Sequence, residues 1–132
     1  MSKFLTIVLL FICIVSGYSQ KEKMKEADYS NYIQTLIGGE REVYVSGGRV
    51  DLVTEEHAFE IEWANKWKES IGQALWYAVQ TTKKPGIILI LKDASQYKYF
   101  IQLNTALDYA GLTDKVDVFL FPNDFKAFLK KD

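Results

Sequence analysis

One run of six residues constrains the fold of this chain more than any other. Gly86 to Leu91, GIILIL, is apolar throughout and does not alternate. Successive side chains of a strand point to opposite faces, so a strand with one wet face reads apolar-polar-apolar. A strand apolar on both faces needs cover on both, which helices packed on the two sides of a sheet provide. The run therefore predicts the centre of a mixed sheet flanked by helices, an α/β fold.

The rest of the chain supplies the flanking elements. Lys21 to Gly38 carries Tyr29, Tyr32, Ile33, Leu36 and Ile37 at helical spacing and stops at two glycines. Arg41 to Ser46 and Arg49 to Thr54 read as an antiparallel hairpin turning at Gly47-Gly48, and HAFEIEW, residues 57 to 63, as a third strand. Asn65 is placed to cap a helix running to Thr82, with Trp67, Ile71, Ala74, Leu75 and Ala78 as its buried stripe. After GIILIL come a helix over Tyr97 to Ala110, a strand over Val116 to Phe121 and a short helix from Asn123 to Lys131. The expected order is α-β-β-β-α-β-α-β-α, without repeats, linkers or low-complexity stretches.

Residues 1–19 have the pattern of a secretory signal: Lys3, an apolar run from Phe4 to Val15, then Gly17-Tyr18-Ser19 with small residues at alternate positions. The run is too short for the roughly 20 residues of a membrane-spanning helix. Cleavage after Ser19 would export a single domain, residues 20–132, to the periplasm or the medium, with no integral membrane span. Cys13, the only cysteine, would be lost with the signal. That excludes a disulfide scaffold, a thiol enzyme or a zinc-thiolate site. Lys plus Arg number 16 against 17 Asp plus Glu, so no global field attracts a polyanion, and such a partner must meet a local basic patch.

Acidic residues on neighbouring strands suggest the chemistry. Asp51 lies on the second strand and Glu60 and Glu62 on the third, so pairing of these strands would bring three carboxylates to one patch. Such charges repel unless a cation sits between them, and Mg²⁺, with Mn²⁺ as substitute, takes oxygen ligands of this kind. The ion could orient water and polarise a phosphoryl oxygen, so metal-assisted phosphodiester hydrolysis is the expected reaction. On the following helix Lys66, Ser70, Gln73 and Tyr77 form a polar stripe beside the apolar one. Lys66 could support the attacking water, with Gln73 and Tyr77 positioning the nucleophile or a phosphate oxygen.

These residues resemble the PD-(D/E)XK nuclease superfamily, whose fold is called restriction-endonuclease-like. The resemblance rests on RVDLVT, AFEIEW and GQALWYA, the last with a Gln-x-x-x-Tyr spacing similar to that of the RecB-like exonuclease branch. It covers roughly Ala27 to Leu91 and implies an α-β-β-β-α-β core. It also implies Asp51 and Glu60 as metal carboxylates, with Glu42 or Glu40 as a further upstream acid. The chain departs from the pattern at Glu62, where lysine is usual; Lys66 on the helix is the substitute, since Lys68 is turned about 200° away from it. The implied partner is nucleic acid, DNA foremost. The alternative is a catalytically silent domain of the same fold that binds a partner or nucleic acid in the cell envelope. His57, the only histidine, reads as a structural or surface residue rather than a general base, and the Gly-Gly pairs lack the context of a phosphate-binding loop.

Overall fold

The computed structural model describes residues 23–129. The signal expected over residues 1–19 lies outside them. Five strands, β1 (Glu40–Val45), β2 (Gly48–Val53), β3 (His57–Trp63), β4 (Lys84–Ile90) and β5 (Asp117–Phe121), form one sheet in the order β1-β2-β3-β4-β5. β1, β2 and β3 are antiparallel neighbours, whereas β3-β4 and β4-β5 are parallel. Helices α1 (Glu26–Ile37), α2 (Ser70–Thr81), α3 (Tyr97–Tyr109) and α4 (Lys126–Leu129) complete an α/β fold with a mixed sheet. No helix among the described residues is long and apolar enough to cross a membrane.

The apolar run behaves as its pattern requires. Ile87 and Leu89 pack with Trp67 and Ala74 and with Leu103 and Leu107 of α3, while Ile88 and Ile90 pack with Ile33 of α1 and with Phe59, Ile61, Phe121 and Phe125. Each fully buried side chain of this size contributes about 1.5–3 kcal/mol of transfer free energy. The centre of the sheet is β3 rather than β4, and β3 too is covered on both faces, every residue from His57 to Glu62 being buried. The alternation in HAFEIEW therefore separates two buried faces, with Glu60 and Glu62 placed by register beside Ile87 and Leu89.

Three local expectations need correction. The hairpin turns at Ser46-Gly47, and Gly48 already belongs to β2; a Cβ on Gly48 would lie 2.5 Å from the Tyr77 hydroxyl. The segment after β3 is not continuous helix from Asn65: Ala64–Glu69 is a 3₁₀ segment broken at Lys66 (φ −105°, ψ 19°), and α2 starts only at Ser70. The break is fixed by Trp67, whose indole donates to Gln102 Oε1 at 3.0 Å, and by the Ser70 hydroxyl, which donates to the Trp67 carbonyl at 2.6 Å. The C-terminal segment opens with a 3₁₀ turn, Asn123–Phe125, before α4.

Gly86 shows how tightly β3 and β4 meet. A Cβ there would stand 2.5 Å from the Phe59 ring, which is buried and cannot swing away. Gly86→Ala is expected to cost about 1–3 kcal/mol, read as a lower urea midpoint at unchanged m-value; an unchanged midpoint would show that the Phe59 side of the core yields.

Candidate functional site

The site begins where β2 and β3 stop pairing. Their ladder runs through Val53↔Ala58 to Leu52↔Phe59, and the next rung would set Asp51 against Glu60. There the Asp51 side chain intervenes, Oδ2 accepting the Ile61 N–H at 2.8 Å. Asp51 and Glu60 share a hydrogen bond between their carboxyl groups. A second acidic pair lies alongside, Glu62 with Glu26 from the first turn of α1. Glu62 Oε1 also accepts the Trp63 N–H at 2.9 Å.

Burial dominates the electrostatics. Glu60 is 6% exposed and Glu62 8%. Loss of water, then the charge and hydrogen bond of Asp51, push the Glu60 carboxyl up to about 9. Glu26 is raised to about 7 by burial, then by its hydrogen bond with Glu62 and the charges of Glu62 and Asp51, against a lowering pull from Lys66. Asp51 is raised by burial in spite of the Ile61 N–H, the Glu60 hydrogen bond and the guanidinium groups of Arg41 and Arg49. No group of three or more His, Cys, Asp or Glu among the described residues has the arrangement of a metal-ligand set; the acids stand in pairs.

Helix α2 closes the site from one side. With its nitrogen facing its two acceptors, the Gln73 amide donates to Glu60 Oε1 at 2.8 Å and to the Glu69 carbonyl at 3.1 Å. Tyr77, one turn later, is buried at 7% exposure, its hydroxyl against Gly48. Burial, then the nearby Glu60 charge, raises its phenol.

The structure therefore brings together Asp51, Glu60, Glu62, Gln73 and Tyr77. Lys66 is exposed at the break before α2, close enough to act on Glu26, so its place comes from the break and not from a helical stripe. Ser70 is fully buried and spends its hydroxyl on the backbone. Glu42 is not drawn into the cluster. Its φ of 57° interrupts β1, and its half-exposed carboxylate pairs with Arg41 at 3.5 Å and Arg49 at 3.9 Å. Glu40 is exposed on the same strand.

The upstream acid of the cluster is Glu26, which sequence reasoning missed within a charged run. Its signal was position: Glu26, Tyr29, Ile33 and Ile37 follow one helical stripe, so an acid continues the apolar face of α1. His57 is buried and not a surface residue. It is 8% exposed, stacks on Phe59, and contacts Asp117 Oδ2 at 2.8 Å, an oxygen that Lys84 Nζ also reaches at 2.9 Å.

Two curated proteins of Acanthamoeba polyphaga mimivirus are similar to part of the chain. KilA-N domain-containing protein L32 is 37% identical over 60 residues, 46% of this chain and 16% of that protein. KilA-N domain-containing protein L33 is 40% identical over 61 residues, 46% of this chain and 23% of that protein. The chain thus spans less than a quarter of the length of either relative. No family model matches it, and no solved structure matches it significantly.

The carboxyl groups set a pH dependence in the absence of divalent ions. Glu60 loses its proton near 4.5 when unfolded and near 9 when folded, so the folded state binds more protons throughout that window. Stability in EDTA should be highest below pH 4.5 with respect to this group and fall as pH rises toward 9, with Glu26 adding to the fall up to about 7. Glu60→Gln should flatten the profile. Thermal melts from pH 5 to 9 test this, and equal slopes for the two proteins would contradict it.

Proposed function

We propose that this domain is a small PD-(D/E)XK-like phosphodiesterase that hydrolyses nucleic acid, DNA foremost, with Mg²⁺ or Mn²⁺. The observation that carries the reading is Glu60: a buried carboxyl at the end of a strand ladder, hydrogen-bonded to Asp51 and held by the Gln73 amide. Proteins bury unpaired acids at a cost, and such groups cluster at functional sites. The α-β-β-β-α-β order supports the reading.

The donor set suits a hard cation. It consists only of carboxylate oxygens, which a hard cation takes as ligands, and burial that raises the Glu60 and Glu26 carboxyls would be relieved by such a charge. The Asp51–Glu60 pair would hold the ion, with Glu62 and Glu26 as the acids alongside. When bound, it supplies a polarised phosphoryl oxygen and an acidified water. Gln73 fixes the Glu60 carboxylate through its N–H. Tyr77 fills the space between α2 and the hairpin and excludes water from that side. Lys66, exposed beside the acids, offers an ammonium to the charge that develops on phosphorus, in place of the strand lysine. Arg41 and Arg49 act on Asp51 and give the local positive charge that a phosphate backbone requires. Export of residues 20–132 after signal cleavage belongs to the same proposal.

A second reading is favoured by Glu62 standing where lysine is usual: a silent domain of this fold that binds nucleic acid without cutting it. Labelled single- and double-stranded DNA and RNA, incubated with protein in Mg²⁺, Mn²⁺ or EDTA, separate the two. Cleavage that needs the metal and falls at least roughly 100-fold in Asp51→Ala and Glu60→Ala is expected, with a loss of about 10- to 1,000-fold in Lys66→Ala. Retained binding without cleavage under any condition would favour the silent domain, and cleavage unchanged in Asp51→Ala would overturn the nuclease assignment.

Metal binding has its own readout. Mn²⁺ at a hundredfold excess over its Kd at pH 8 should stabilise the folded protein by about 2.7 kcal/mol, and the same Mn²⁺ concentration should raise the melting temperature less at pH 6, because carboxyl protons compete with the ion and weaken its Kd there. Asp51→Asn should remove most of the rise; the same rise in that variant would place the ion elsewhere.

A further inference from the structure

A second concavity lies away from the carboxylate cluster, at the starting end of β3 and on the face of the sheet that carries α1. Its volume is about 690 Å³, within the range of small-molecule sites. Phe119, Phe125 and Phe128 supply aromatic wall. Phe125 is buried and packs at 5.5 Å on Phe121, whereas Phe128 on α4 stays 45% exposed beside it. The aromatic surface is therefore partly anchored in the core and partly open.

The polar lining is one-sided. Glu55 and Glu56 from the turn between β2 and β3, and Asp124 from the turn before α4, line the cavity, and among the described residues no lysine or arginine lines it. Asp124 spends one oxygen on the Leu120 N–H at 2.6 Å, which holds it in place. Among the described residues His57 is the one basic side chain of the lining, and its Nε2 is already engaged by Asp117. That contact fixes the cavity floor, because the His57 ring lies flat on Phe59 at 4.7 Å and meets Phe119 edge-on at 5.9 Å. Lys84 is drawn to the same Asp117 oxygen.

Aromatic rings with carboxylates around them favour one class of ligand. A cation gains from the ring faces and from the acids, while an anion meets three negative charges. The size and apolar wall require an organic body on that cation. We propose that this cavity is a binding site for a small amphipathic amine, an ammonium group on an aromatic or aliphatic body, with the ammonium toward Glu55, Glu56 and Asp124 and the body against Phe119 and Phe128. The site shares no residue with the carboxylate cluster and stands independently of the nuclease reading.

The test titrates three isosteric probes into the full-length protein and follows backbone amide shifts: 2-phenylethylamine, 2-phenylethanol and 3-phenylpropanoate. The amine should saturate the amides of Glu56, His57 and Phe119, bind at least about tenfold more tightly than the alcohol (about 1.4 kcal/mol), and leave the acid without saturable binding. Phe128→Ala and Glu56→Gln, both at exposed positions, should each weaken the amine several-fold without moving the melting temperature. Equal affinity for amine and alcohol would overturn the assignment, as would shifts confined to other residues or no saturable binding of the amine. A hexalysine peptide that binds these amides more tightly than the amine would overturn the small-molecule ligand in favour of a basic protein partner.

Discussion

The hydrogen bond from the Ile61 N–H to Asp51 organises the site. An antiparallel ladder between β2 and β3 would give that N–H to a backbone carbonyl, and the strands would remain zipped. Here a carboxylate takes it at 2.8 Å, and the ladder ends at Leu52↔Phe59. Glu60 then meets an acid at the rung where a continuous sheet would only place a neighbour. The Gln73 contact and the Tyr77 wall follow from the cover that α2 lays over that point.

The arrangement works against stability. β3 is the middle strand and is covered on both faces, so Glu60 and Glu62 lose water without gaining a basic partner. In place of cationic partners they face the carboxyl groups of Asp51 and Glu26, and burial with these neighbours raises the Glu60 and Glu26 carboxyls. A fold selected for stability alone would place apolar residues beside Ile87 and Leu89. The carboxyl groups there are the feature on which the proposed cation site rests, oxygen donors being the ligands a hard cation takes.

Much of this was legible in the sequence because the relevant information was periodic. GIILIL, HAFEIEW and the apolar stripe of α2 specify faces, and the order of elements follows from them. Asp51, Glu60 and Gln73 were legible for the same reason, each standing at a defined position on a regular element. What escaped depends on departures from regularity. Lys66 sits at a break that Trp67 and Gln102 create across 35 residues, and Glu42 takes a positive φ inside a strand that reads as regular. His57 finds Asp117 at 60 residues' separation, which no local pattern encodes. Glu26 was the one departure with a local signal, an acid on the apolar stripe of α1.

The central claim is that the paired carboxyl groups of β2 and β3 form a divalent-cation site. Crystals of the protein soaked in Mn²⁺ near pH 8 and measured near the manganese absorption edge test it directly. The account predicts an anomalous peak within ligand distance of both Asp51 and Glu60. Loaded crystals with no peak at these carboxylates, the Asp51–Glu60 hydrogen bond persisting, would contradict it.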